Sequence, residues 1–150
     1  MPLVDVEPGW RNEVQDAIKS QGVSNQGVQF KNDQNPIIWQ NLRYRSQPEV
    51  RIAQELDKKK VFFFPNCRGR LNQDAKRGNR EPDFLICHNG KWGILEVDGE
   101  STHPSAAADH TRDREFKSHG VRVIEHFTWL ECVDGSQAVV RQFLEILNKS

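Results

Sequence analysis

The sequence predicts an α/β fold, a mixed central β-sheet of about four strands flanked by helices. Three observations carry this expectation. An Asn89-Gly90 pair sits between two apolar runs, and a two-residue turn of type I′ needs positive φ at both central positions, which Asn and Gly tolerate best. Residues 46–59 and the stretch from Ser136 onward carry apolar side chains at helical spacing. From Ser46 the order reads helix, strand, hairpin of two strands, helix, strand, helix, which stacks helices against a sheet. With 150 residues the chain suits a single domain, and a 36% hydrophobic fraction with eight Phe and four Trp is enough for one core.

The elements follow in order. Residues 8–20 read as a helix, with Pro8 early and Trp10, Val14, Ala17 and Ile18 as its apolar stripe. The Gly-rich polar stretch after it is a loop, with room for a short strand at 28–30. Residues 36–45 fit either a helix capped by Asn35 or an extended segment. Ser46-Gln47-Pro48-Glu49 has the form of a capping box, opening a helix to about Lys59 with Ile52, Ala53 and Leu56 as its stripe. Residues 61–64 suit a buried strand ended by Pro65, and the polar run from Asn66 to Arg80 a long loop. Hairpin strands at 82–87 and 92–97 come next, then a helix at 105–119 closed by Gly120. A strand at 121–127 alternates Val121, Val123 and Glu125 with Arg122, Ile124 and His126. From Ser136 a last helix aligns Val139, Val140, Phe143, Leu144 and Leu147; Trp92 and Trp129 are expected in the core.

Composition narrows the functional classes. Lys and Arg number 21, as do Asp and Glu, so global charge is silent about nucleic acid and only local clusters speak. Three cysteines without paired spacing argue against a thiolate zinc site or a disulfide scaffold, and favour a reducing, intracellular, cytoplasmic setting. No apolar run approaches the ~20 residues of a membrane span, and the amino terminus lacks the pattern of a signal peptide.

Counting outward from the Asn-Gly turn pairs His88 with Lys91, Cys87 with Trp92, Phe84 with Leu95, and Asp83 with Glu96. Directly opposed residues stand roughly 4.5–5.5 Å apart at Cβ, where like charges are destabilising. Asp98, two residues on, projects from the same face. A cation belongs there, and hard oxygen donors suit Mg2+ (or Mn2+), which takes one or two carboxylates and keeps waters. The alternative is a solvent-facing acid pair balanced by Arg or Lys. Against it, the strands are otherwise apolar and three acids share the face. Glu49 lies at the end of its helix's buried stripe, so it either completes the cap or reaches toward the acids. Arg68, Arg70, Lys76, Arg77 and Arg80 precede the acidic strand with Asp74 the one acid among them; they are a solvated loop or contacts to phosphate.

Helix with Glu, strand, Pro82-Asp83 strand, Glu96-Val97-Asp98 at a strand end, then helix and strand: over about 46–127 this order resembles the PD-(D/E)XK nuclease superfamily. The resemblance implies a restriction-endonuclease-like αβββαβ core, leaving 1–45 as an amino-terminal extension and 128–150 as a carboxy-terminal helix. It implies a metal held by Asp83, Glu96 and the Val97 carbonyl, with Glu49 completing the site. Asp98-Gly99, His103, Asp109, Arg112, Gly120 and Val123 are similar to a branch related to very-short-patch repair endonucleases. Two positions depart from the pattern: Asp98 stands where the superfamily has Lys, and Glu125 where the branch often has Arg. Arg112 is then the candidate replacement cation. His103 is either a surface residue or, beside a metal cluster, a general base or phosphate-steering group. The other histidines, 88, 110, 119 and 126, show no ligand spacing and read as structural or exposed.

The expected function is that of a magnesium-dependent endodeoxyribonuclease, with Glu49, Asp83, Glu96, Asp98, His103 and Arg112 in its catalytic set and DNA as its partner. The resemblance also points to a bacterial source. Cutting both strands with one site requires a homodimer or two visits. The competing readings are a catalytically silent nucleic-acid-binding module and a protein-interaction domain with an acidic patch; metal occupancy and cleavage separate them.

Overall fold

The computed structural model describes residues 37–73, 76–99 and 106–150. The helix expected at 8–20, the short strand at 28–30 and His103 lie outside these residues. A four-stranded sheet holds the centre: β3 (Phe62–Pro65), β6 (Phe84–His88), β7 (Lys91–Asp98) and β8 (Val123–Thr128), in that spatial order. β3, β6 and β7 are antiparallel neighbours, and β7 and β8 are parallel, so the sheet is mixed as the sequence predicts.

The central hairpin has the register counted from its turn, from His88 opposite Lys91 to Phe84 opposite Leu95. Asn89 and Gly90 sit at φ 52° and 76°, the left-handed pair that a type I′ turn demands. β8 returns beside β7 through helix α2 (Ala106–Ser118), as parallel pairing requires a crossover.

Helices α1 (Gln47–Lys58), α3 (Trp129–Asp134) and α4 (Ser136–Lys149) pack against one another and cover one face of the sheet. Ile52 and Leu56 of α1 and Phe143 and Leu147 of α4 bury there with Phe84, Ile86 and Leu95. A Cβ at Gly93 would stand 2.9 Å from Phe143 Cζ, so α4 lies on the sheet at a distance only glycine permits. The other face carries a smaller cluster, Leu71, Ile94, Phe116 and Ile124, which seats α2.

Several expectations change. The stretch read as a long loop contains an antiparallel ribbon, β4 (Gly69–Gln73) with β5 (Lys76–Arg80). Leu71 supplies the anchor that the polar sequence conceals. Residues 37–44 take the extended alternative, as hairpin β1 (Ile37–Trp39) and β2 (Leu42–Tyr44). The capping box at Ser46 does not form; the Ser46 hydroxyl donates to the Glu49 carboxylate instead. A capping box does form at Thr128 and Glu131, where it starts the short α3 that periodicity missed. β3 is an edge strand, so Phe62 and Phe64 are exposed rather than buried, and Trp92, expected in the core, is 44% exposed and stacked on Phe64. Among the described residues no helix is long and apolar enough to cross a membrane.

Candidate active site

One residue beyond the last β6–β7 pair, the chain closes on itself through side chains. The Asp83 N–H donates to Glu96 Oε2 at 3.1 Å, and the Val97 N–H donates to Asp83 Oδ2 at 2.7 Å. The two carboxylates therefore face each other across the end of the hairpin, as the register predicts. They line a polar cavity of about 230 Å³ together with Arg45, Glu81, Val97, Asp98, Gly99, Asp109, Arg112 and His126. A larger groove of about 430 Å³, bordered by α3, α4 and the end of β8, shares no lining residue with it and lacks such a constellation.

Glu96 is only 4% exposed. Burial raises its pKa well above the usual carboxylate range, and the Asp83 charge raises it further, while Arg112 opposes both. Arg112 reaches from α2 to hold Glu96 Oε1 at 3.1 Å and donates to the Glu81 carbonyl at 2.6 Å. Its Nε is buried and has no hydrogen-bond partner among the described residues. Where the sequence suggests Arg112 as a phosphate- or water-positioning cation, the structure pairs its charge with Glu96.

Glu49, 3% exposed, takes neither of its two expected roles in full. It does not line the cavity. It accepts from Ser46 Oγ at 2.7 Å and from Asn66 Nδ2 at 3.0 Å. Asn66 in turn gives its N–H to the Asp83 carbonyl at 2.9 Å. Glu49 therefore sits behind Asp83, linked through Asn66. Burial, then the Asp83 charge, push its pKa up to about 7. Asn66 is fully buried at φ 51°, a left-handed position that Asn tolerates. Pro65-Asn66 at a strand end was the available signal for it.

His126 belongs to the site, contrary to the expectation of a structural or exposed histidine. Parallel pairing sets it beside Glu96. Its Nδ1 lies 3.1 Å from Asp98 Oδ1 and its Nε2 3.1 Å from Asp113 Oδ2. Burial works against its charge, but the hydrogen bonds to Asp98 and Asp113 outweigh that, and its pKa rises. Asp98 is thereby oriented at the rim. The strand alternation at 121–127 was the signal; the partners come from β7 and α2, which no local pattern names.

The basic residues divide. Arg80 donates to the buried Glu115 at 2.9 Å and is a tie between β5 and α2. Arg68 Nε stands 3.9 Å from Glu81, which Arg45 also pairs. Arg70, Lys76 and Arg77 are exposed on the ribbon.

Among the described residues no group of three or more His, Cys, Asp and Glu is arranged to hold a metal. Asp83 and Glu96, which line the cavity beside Val97, offer hard carboxylate oxygens of the kind a magnesium-sized ion takes one or two of. Burial and the facing Asp83 charge both disfavour a charged Glu96, the kind of site where a divalent cation would offset two carboxylates.

No protein-family model matches the sequence, and a search of curated proteins finds no match. Among solved structures the chain is similar to the catalytic domain of the homing endonuclease I-Bth0305I, at 19% identity and a TM-score of 0.46, covering 68% of this chain and 97% of that one.

Proposed function

We propose that the protein is a divalent-metal-dependent endonuclease that hydrolyses phosphodiester bonds of DNA. The observation that carries this reading is the locked Asp83–Glu96 pair at the mouth of a polar cavity that Arg45 and Arg112 also line. Asp83, Glu96 and the Val97 carbonyl would hold Mg2+ or Mn2+. When bound, such an ion polarises the phosphoryl group and lowers the pKa of a coordinated water.

The protein's own groups do the rest. Arg112 holds Glu96 Oε1 and works in part against the burial that disfavours its charge. Arg45, paired with Glu81 at the same cavity, offers a further cation to a phosphate oxygen. Asn66 carries Glu49's position to the Asp83 backbone. The Asp98–His126–Asp113 chain holds Asp98 still beside the metal ligands. His103 fits the role of general base or phosphate-steering group, four residues past Gly99.

The test is nicking of supercoiled plasmid with Mg2+ or Mn2+. The wild type should nick, and Asp83→Ala should lose activity by roughly 100-fold or more, the scale of losing a transition-state contact. A wild type that binds no divalent ion and leaves plasmid intact across several ions removes the enzyme reading. One feature favours a second reading, a nucleic-acid-binding module without catalysis: Arg112 neutralises Glu96 from within, and Asp98 stands where Lys is usual. Retained DNA binding without cleavage would select it.

A further inference from the structure

The β4–β5 ribbon is a sheet of its own with two strands only. Its inner face is committed. Leu71 buries against Ile94, Phe116 and Ile124, and Arg80 pairs with Glu115. Its outer face is made of two directly opposed pairs, Arg70 with Asn79 and Asn72 with Arg77, all four exposed. In each pair the arginine donates to the asparagine carbonyl, at 3.1 Å for Arg70 Nη1 and 2.9 Å for Arg77 Nη1.

The strands of the ribbon contain no Asp or Glu, with Asp74 between them in sequence, in a chain whose acids and bases are equal in number. Among the described residues Arg70 and Arg77 pair with no acid, so the outer face keeps their positive charge, and Lys76 stands exposed at the ribbon's end beside it. The Asn contacts use one of five guanidinium donors on each Arg and leave each amide NH2 group available. They also hold both guanidinium groups in place, which lowers the entropy lost on contact. Arg bidentate to guanine and Asn bidentate to adenine are the pairings that read base edges, and a two-stranded ribbon fits the major groove of B-form DNA. The strand β5 leads through Glu81 and Pro82 directly into Asp83, so a ribbon seated in a groove sets the duplex beside the acidic cavity.

We propose that the outer face of the β4–β5 ribbon enters the major groove of duplex DNA, where Arg70, Asn72, Arg77 and Asn79 read base edges while Arg68 and Lys76 contact the flanking phosphates. This rests on the reading of DNA as the substrate, and it adds sequence discrimination to the backbone contact expected of a basic segment. Duplex RNA is excluded as the favoured occupant because its A-form major groove is too deep and narrow for side chains to read.

The test is selection of bound duplexes from a randomised DNA pool by the full chain in chelator, followed by titration of the preferred duplex. Wild type should enrich a defined motif. Asn72→Ala with Asn79→Ala, and separately Arg77→Lys, should lose about tenfold in discrimination or more, the scale of one bidentate base contact. Arg77→Lys keeps the charge, so its affinity for random duplex should stay within about threefold, and its melting curve reports that it folds. Lys76→Ala should weaken all sequences alike and reduce the salt slope by about one. No enrichment by wild type, undiminished discrimination in the Asn variants, or equal competition by duplex RNA overturns the proposal. Plasmid nicking is scored separately. Enrichment without nicking sinks the nuclease reading and upholds the ribbon; nicking without enrichment does the reverse.

Discussion

Glu49 shows how a buried acid can serve a site it does not line. Both its oxygens are taken, by Ser46 and Asn66, and its pKa of about 7 means the folded protein holds its proton more tightly than the unfolded chain does. Its contribution to stability is therefore complete below about pH 4.5 and is lost as pH rises through about 7. Glu49→Gln keeps both contacts, since the amide can donate to Ser46 Oγ and accept from Asn66. The variant should show a flatter pH profile and exceed the wild type in stability at pH 8 by on the order of 2 kcal/mol, measured by urea unfolding. A wild-type profile as flat as the variant's would sink this account. Periodicity alone placed Glu49 at the end of a buried stripe but left its role open, because the residue that settles it, Asn66, belongs to another element. His126 was hidden for the same reason: its two carboxylate partners are 28 and 13 residues away in the chain.

At the scale of elements, legibility followed the range of the signal. The hairpin register was readable because a two-residue turn of Asn and Gly leaves one way to count. The βαβ crossover was readable because a helix separates two strands. The β4–β5 ribbon was not, since its Arg, Asn and Gly residues have weak β-propensity and, among the described residues, Leu71 alone of its side chains joins an apolar cluster. The packing of α4 on the sheet depends on Gly93, which faces Phe143 and Leu147. A methyl there would need Phe143 to move, and Phe143 is fully buried among its neighbours. Gly93→Ala should cost about 1–3 kcal/mol by overpacking, read as a lower denaturation midpoint with an unchanged slope. An equal or higher midpoint would mean that α4 can shift away freely.

For the molecule as a whole, three groups of the site push stability in one direction. Glu49 and Glu96, both raised first by burial and then by Asp83, and His126, raised by Asp98 and Asp113 against the effect of its burial, all favour the protonated form when folded. The metal-free protein should thus lose stability as pH rises through about 7. A cation at Asp83 and Glu96 can take over from those protons. At pH 8, Mg2+ at a hundredfold excess over its Kd should stabilise by about 2.7 kcal/mol, a rise in melting temperature of roughly 5–10 °C. Asp83→Ala should show no such rise; an equal shift in that variant would place the ion elsewhere.

Helix α2 grips the chain at two consecutive residues, Glu115 holding the Arg80 side chain and Arg112 the Glu81 carbonyl. Those two helical residues are three apart and so share a face. Arg80 ends the ribbon, and Glu81 opens the segment that carries Asp83. The ribbon is therefore not a detachable cassette. Grafting a different one onto this scaffold, or moving this one to another, means transplanting α2 as well, because the same turn of helix that seats the ribbon also sets the angle of Glu96.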